Sequence, residues 1–137
     1  MDQTQHESII NSNGRTDFID ISGIITKFLS SLGNPQTGLL NIFIPHTTAG
    51  VTINENADPD VRRDMEIGLD RISPELPDFR HGEKNSFAHI KSTLVGPSLI
   101  LPIKNGLPWL GTWQGIYFCE FDGPRQRKVR LTFISGN

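Results

Sequence analysis

The sequence predicts an α+β domain, a mostly antiparallel sheet with helices packed on it. Three observations carry that prediction. The last third of the chain reads as β-prone runs broken by short Gly- and Pro-containing turns, the pattern of antiparallel neighbours. The middle holds an apolar stripe at Val61, Met65, Leu69 and Ile72, with helical spacings of four, four and three. Near the N-terminus, Asn13-Gly14 lies between two β-prone runs. The expected order is strand, strand, helix, strand, helix, short helix, then three strands.

Taken in order, Ile9 and Ile10 lead to Asn13-Gly14 and then to Phe18, Ile19 and Ile21. Asn-Gly tolerates positive φ at both positions, so these runs are expected to form a hairpin. Ser22 can cap a helix whose Ile24, Ile25, Phe28, Leu29 and Leu32 share a face, ended by Gly33 and Pro35. Leu39 to Ile44 is a short strand stopped by Pro45. Asp58 as N-cap and Pro59 in the first turn open the periodic helix. A shorter helix is expected from Ser86 to about Leu94, with Phe87, Ile90 and Leu94 inward, ended by Gly96-Pro97. Strands follow at Ser98 to Ile103, Thr112 to Phe121 and Lys128 to Ile134.

A chain of 137 residues suits a single domain with its own core. The net charge of −2 argues against a large nucleic-acid footprint, yet leaves room for a small phosphorylated ligand. Cys119 is the one cysteine, so no internal disulfide is available. Met1 to Glu7 is polar, and the apolar runs are too short to span a bilayer. The expectation is a soluble, cytoplasmic protein without nucleic-acid or membrane partners.

Residues with site chemistry cluster in three places. Just past a strand end stand His46, Thr47, Thr48 and Gly50, followed by Asn54, Glu55 and Asp58. Two hydroxyls and free backbone amides beside a histidine suit an anionic oxygen, although a turn with a solvated histidine has the same composition. The second cluster is His81, Asn85, His89, Lys91, Ser92 and Thr93. Imidazole is the commonest transition-metal ligand, but His-x₇-His is no ligand motif by itself, and a lysine on a short helix is usually solvated. The third is the run from Gly111 to Glu120. Strand alternation puts Thr112, Gln114, Ile116, Phe118 and Glu120 on one face and Trp113, Tyr117, Cys119 and Phe121 on the other. Gln114 then either joins a site or bonds a neighbouring loop, and Cys119 reads as a small core residue. No Gly-rich phosphate loop and no cysteine pair for structural zinc is present. The basic run Arg125, Arg127, Lys128 and Arg130 reads most simply as a solvated turn and strand edge.

The segment from His46 to Val61, the run Ala88-His89-Ile90-Lys91-Ser92 and the run Gly111-Thr112-Trp113-Gln114 resemble the YjbQ family. The resemblance covers about Thr16 to Ile134, and the three motifs match in order. It leaves residues 1–12 as a flexible N-terminal extension of a single 1–137 domain. It implies a compact α+β fold, a homotrimer, and site histidines at or near subunit interfaces. Family members are often described as secondary thiamine-phosphate synthases, which join a pyrimidine diphosphate to a thiazole phosphate and release pyrophosphate. The matching motif positions are His46, Thr47, Thr48, Glu55, Asp58, His81, Asn85, His89, Ser92, Gln114 and Glu120.

The expectation is therefore an enzyme of phosphorylated small molecules. His46, His81 and His89 would form one polar site holding a divalent metal or contacting phosphate. Glu55 would be the acid/base or would orient an imidazole, and His89 would be catalytic as well as a ligand. Thr47, Thr48, Asn85, Lys91, Ser92 and Gln114 would bind substrate. Magnesium would ride on a diphosphate through oxygen ligands, whereas three histidines favour zinc or another transition metal. That contrast keeps a metal-dependent hydrolase open as a rival to the synthase. A non-enzymatic binder of a phosphometabolite, and histidines that only bridge subunits, are the other readings.

Overall fold

The computed structural model describes residues 4–136. The elements run β1 (Gln5–Asn11), β2 (Asp17–Asp20), α1 (Ser22–Ser30), β3 (Gly38–Phe43), β4 (Ala49–Glu55), α2 (Pro59–Ile72) and α3 (Ser86–Val95). They continue with β5 (Ser98–Lys104), β6 (Leu107–Pro108), β7 (Gln114–Glu120) and β8 (Gln126–Ser135). The strands form two sheets, one in the order β1-β8-β3-β5-β6 and one in the order β2-β7-β4. Every pairing is antiparallel. The α+β class is the expected one, with the sheet split in two.

Strand alternation makes that division. On β8, Val129, Leu131 and Phe133 point inward; on β7, Ile116 and Phe118 do. These side chains meet Leu40, Ile42, Leu101, Ile103, Val51 and the α1 residues Ile25, Phe28 and Leu29 in the main core between the sheets. The opposite face of β7 sends Cys119, with Phe121 just beyond the strand, into a second cluster with Phe87 and Ala88 of α3, flanked by Leu69 of α2. The small sheet is thus a middle layer between the large sheet and α2 with α3.

Several local expectations hold. Asp58 caps α2 by accepting from the Asp60 N–H at 2.9 Å, with Pro59 at the first helical position. Cys119 is fully buried and α1 buries the expected face.

Other expectations change. Asn13-Gly14 closes no hairpin, because β1 pairs with β8 and β2 with β7 in the other sheet. The two positive φ values that an Asn-Gly hairpin turn uses occur at Asn105 (51°) and Gly106 (83°), between β5 and β6. The segment after His46 is a strand, β4, whose Ala49 and Val51 enter the core. On α3 the buried residues are Phe87, Ala88, Lys91 and Ser92, and Ile90 and Leu94 are exposed, so the inward stripe is rotated from its expected position. Ser22 is the first helical residue and not the cap; its N–H donates to Asp20 Oδ1.

The extension expected over residues 1–12 is instead part of the sheet from Gln5 onward. β1 lies at one edge, antiparallel to β8, with Ile10 and Ser12 buried. The first three residues of that stretch lie outside the described residues.

Candidate functional site

The β4–β7 ladder sorts the candidate residues into two groups. Its register pairs Ala49 with Glu120 at one end and Glu55 with Gln114 at the other. Six strand steps of about 3.3 Å separate those ends by about 20 Å. His46, Thr47 and Thr48 lead into the Ala49 end. Glu55 and Gln114 share the far end. There the Glu55 carboxylate accepts from the Asp58 N–H, and Gln114 Oε1 accepts from the Gly111 N–H at 2.7 Å. Gln114 therefore takes its loop-bonding alternative, and within one chain Glu55 does not orient His46.

At the Ala49 end a buried ion pair organises the chain. Glu120, fully buried, receives Arg127 Nε at 2.8 Å and Arg127 Nη2 on its other oxygen. Ser12 Oγ donates to Glu120 Oε1 at 2.8 Å and the Asp122 N–H to Oε2 at 3.0 Å. Arg127 Nη2 also donates to Thr48 Oγ1 at 2.8 Å. Four points of the chain, Ser12, Thr48, Glu120 and Arg127, are thereby tied together. Gly123 completes the packing: a Cβ there would sit 2.4 Å from the Gly14 carbonyl oxygen and 2.6 Å from Ser12 Oγ.

The reading of Arg127 as a solvated residue is therefore corrected: it is 3% exposed. Its position carried a signal, because Arg127, Val129, Leu131 and Phe133 alternate on one strand face, and an arginine in that register faces the core. Ser12 carried no such signal; its role depends on β1 reaching the edge of the sheet.

His46 is tied to the same corner. The Lys128 N–H donates to its Nε2 at 2.8 Å. Burial, then the charge of Arg127, holds the imidazole below its ordinary pKa, against the opposing pull of Glu120. The Glu120 carboxyl would rise through burial alone. Hydrogen bonds from Arg127, the Asp122 N–H and Ser12 outweigh burial and hold it below the ordinary carboxylate value.

Both shifts act on stability in the same direction. The unfolded chain protonates His46 before the folded chain does, so stability falls as pH drops below about 6.5. Glu120 contributes stability above its unfolded value, about 4.5, and this is lost as pH falls through the lower folded value. Urea midpoints measured from pH 8 to pH 3 should decline below about 6.5 and steepen below about 4.5. His46→Asn should flatten the upper decline. A midpoint that stays level from pH 7 to 4 would refute the assignment.

The α3 end joins this corner through its cap. Asn85, just before α3, donates from Nδ2 to Asp122 Oδ2 at 2.8 Å, and Arg125 reaches the same oxygen at 2.9 Å. Asn85 Oδ1 is buried without a hydrogen-bond partner in the protein. One turn into the helix, His89 meets His81 edge to face, with ring centroids 5.3 Å apart and planes at 82°. His81 lines an open cavity of about 540 Å³ together with Phe79, Arg80, Lys84 and Glu75.

The remaining candidates on α3 point elsewhere. Ser92 Oγ donates to the Ala49 carbonyl at 2.7 Å, joining helix to strand. Lys91 is buried and pairs with Asp70 of α2 in a separate cleft that Arg15 and Phe87 also line. Thr48 is buried under Arg127, whereas Thr47 is exposed. Cys119 offers no nucleophile, since burial pushes its thiol up to about 12.

The donor geometry allows a test for a metal. Two imidazoles bound through nitrogen at about 2.0 Å to one tetrahedral ion place their ring centres about 5 Å apart. The His81–His89 pair has that spacing. Among the described residues, no three His, Cys, Asp or Glu side chains gather as a complete ligand set. His46 does not join the pair to make one.

Comparison with known proteins follows the same outline. A family model described as UPF0047 protein YjbQ-like matches residues 6–136, which takes in all of β1 but Gln5 as well as the three motifs. The chain is 49% identical over 125 residues to the UPF0047 protein MJ1081 of Methanocaldococcus jannaschii, covering 91% of this chain and 90% of that protein. It is 50% identical over 126 residues to the UPF0047 protein YugU of Bacillus subtilis, covering 91% and 95%. Among solved structures, an uncharacterised conserved YjbQ/UPF0047 protein from Clostridium acetobutylicum superposes with a TM-score of 0.90 at 50% identity, over 94% of this chain and 99% of that one. The hypothetical protein APE1520 from Aeropyrum pernix gives 0.88 at 33% identity, over 96% and 98%. By sequence and by fold, this chain belongs to the YjbQ-like UPF0047 family.

Proposed function

We propose that the chain is an enzyme acting on a phosphorylated small molecule, with His81 and His89 as two ligands of a divalent transition metal. The observation that supports this most directly is the His81–His89 pair, spaced as ligands of one ion beside a cavity bearing Arg80 and Lys84. A metal there would supply Lewis-acid stabilisation of charge on a phosphoryl oxygen. Arg80 and Lys84 would receive the remaining phosphate oxygens. The thiamine-phosphate-synthase-like reaction is the first to test, because its substrates carry the phosphates this cavity could hold.

Two histidines leave a metal short of protein ligands, and Glu55 and Gln114 stand about 20 Å from the Ala49 end. Assembly as a homotrimer would bring further residues to the site. Support for assembly comes from the outer face of the large sheet, where Leu39, Phe43, Ile100 and Ile134 are exposed together. No helix among the described residues is long and apolar enough to cross a membrane.

The test uses untagged protein, elemental analysis, and the pyrimidine diphosphate with the thiazole phosphate as substrates. Metal near one equivalent per chain, and product formation abolished by chelator and restored by zinc, are the expected results. Binding of the phosphorylated substrates without conversion of these or any hydrolysable phosphoester would identify a carrier and overturn the enzyme reading. Turnover unchanged by chelation would overturn the metal.

A further inference from the structure

We propose that His46 serves the site as a hydrogen-bond donor through Nδ1, aimed at an oxyanion of the ligand, and not as a metal ligand. A neutral imidazole has one N–H and one lone pair. The lone pair on Nε2 accepts the Lys128 N–H at 2.8 Å, so the proton resides on Nδ1. A ring in that state has nothing left to offer a cation. Coordination would need the Lys128 bond broken, and Lys128 is held in β8, opposite Ile9 of β1.

The charges around the ring do not oppose this. Arg125, Arg127 and the charge of Glu120 all act on the imidazole. Glu120 is matched by its bidentate contact with Arg127, and Arg125 by Asp122, so these charges balance and the ring's own N–H sets what it can bind. Thr47, the next residue, is exposed. Thr48, one further on, is clamped by Arg127. Arg127 is therefore a positioning residue: it fixes the loop that aims His46 without touching the ligand.

The chemical class indicated is a phosphate or diphosphate oxygen. The ligand class rests on the function proposed above; the tautomer does not. The test is ¹⁵N NMR of imidazole-labelled full-length protein between pH 7 and 8, with Zn²⁺ and inorganic pyrophosphate as separate probes. The His46 ring should show the Nδ1–H tautomer, should stay in place when Zn²⁺ moves His81 and His89, and should shift with pyrophosphate. An Nε2–H tautomer, or Zn²⁺ moving all three rings, would overturn the proposal. So would a His46 ring indifferent to pyrophosphate. A protein without turnover that still shows the His46 response would sustain the proposal while the enzyme reading failed.

Two variants separate aiming from anchoring. His46→Asn keeps a donor where Nδ1 stands and loses the acceptor for Lys128; His46→Gln keeps the acceptor and loses the donor. Calorimetry should show pyrophosphate affinity within about threefold of the parent for the first and about tenfold weaker for the second. The reverse order would make His46 a structural anchor only and refute the donor role.

Discussion

Arg127→Met is expected to destabilise the protein by about 3–5 kcal/mol, as measured by urea unfolding at pH 7. The substitution leaves the Glu120 carboxylate fully buried with Ser12 Oγ and the Asp122 N–H as its remaining donors. Two hydrogen bonds do not replace a bidentate guanidinium in that environment, and an uncompensated buried charge is the dominant penalty. The loss should therefore lie in the charge left behind and not in the pair as such. Glu120→Gln combined with Arg127→Met should recover more than half of it, since an amide keeps an acceptor for Ser12 and carries no charge. A single variant within about 1 kcal/mol of the parent would show that water reaches Glu120, and the buried-pair account would fail. The same single variant frees Thr48, so the Lys128–His46 contact should loosen with it.

His89→Ala is expected to abolish retention of metal, lowering zinc affinity by more than about a hundredfold, because even an outer partner of a metal ligand is worth about 10–100-fold. On the proposed reading, turnover would be lost with the metal. His6→Ala provides the contrast: His6 is exposed on β1, bonded to Ser8 Oγ and stacked on Phe28, remote in role from the His81–His89 pair. Equal zinc affinity in the parent and the His89 variant would remove the metal from the mechanism. Because His89 is half-buried on one face of α3, its loss should change stability little, so metal affinity and unfolding can be read separately.

Much of the fold is local and was legible. The α2 cap is written in Asp58-Pro59, the α1 face in its apolar spacing, and the opposite faces of β7 in strict alternation, which correctly set Cys119 apart from Glu120. The strand β4 is not legible in this way, because its residues look like a polar site segment. Its Ala49, Val51 and Ile53 alternate, but Thr52 and Asn54 between them resemble the loop chemistry around His46. The Asn13-Gly14 misreading has a different origin. A turn signature reports what a dipeptide can adopt, while pairing is decided by which sheet each flanking strand joins.

The site was legible only in part. Composition and the motifs named the residues, but spacing along the chain could not say that Ser92 reaches Ala49, that Lys91 pairs with Asp70, or that Glu55 and His46 occupy opposite ends of a ladder. Arg127 was nearest to recognition, since its register with Val129, Leu131 and Phe133 points it inward. What overrode that signal was its place in a basic run, where charge usually means solvent.

The sequence by itself determined the α+β class, most helix and strand positions, the family, and the set of polar residues with chemistry to offer. The tertiary structure alone decided how that set divides: His81 with His89, His46 with the Arg127–Glu120 pair, Glu55 with Gln114. The physical reason is that element formation depends on neighbours a few residues apart. The state of a buried charge or an imidazole depends on partners brought from distant strands, here Ser12, Thr48, Glu120 and Arg127, whose contacts exist only once both sheets have closed on the core.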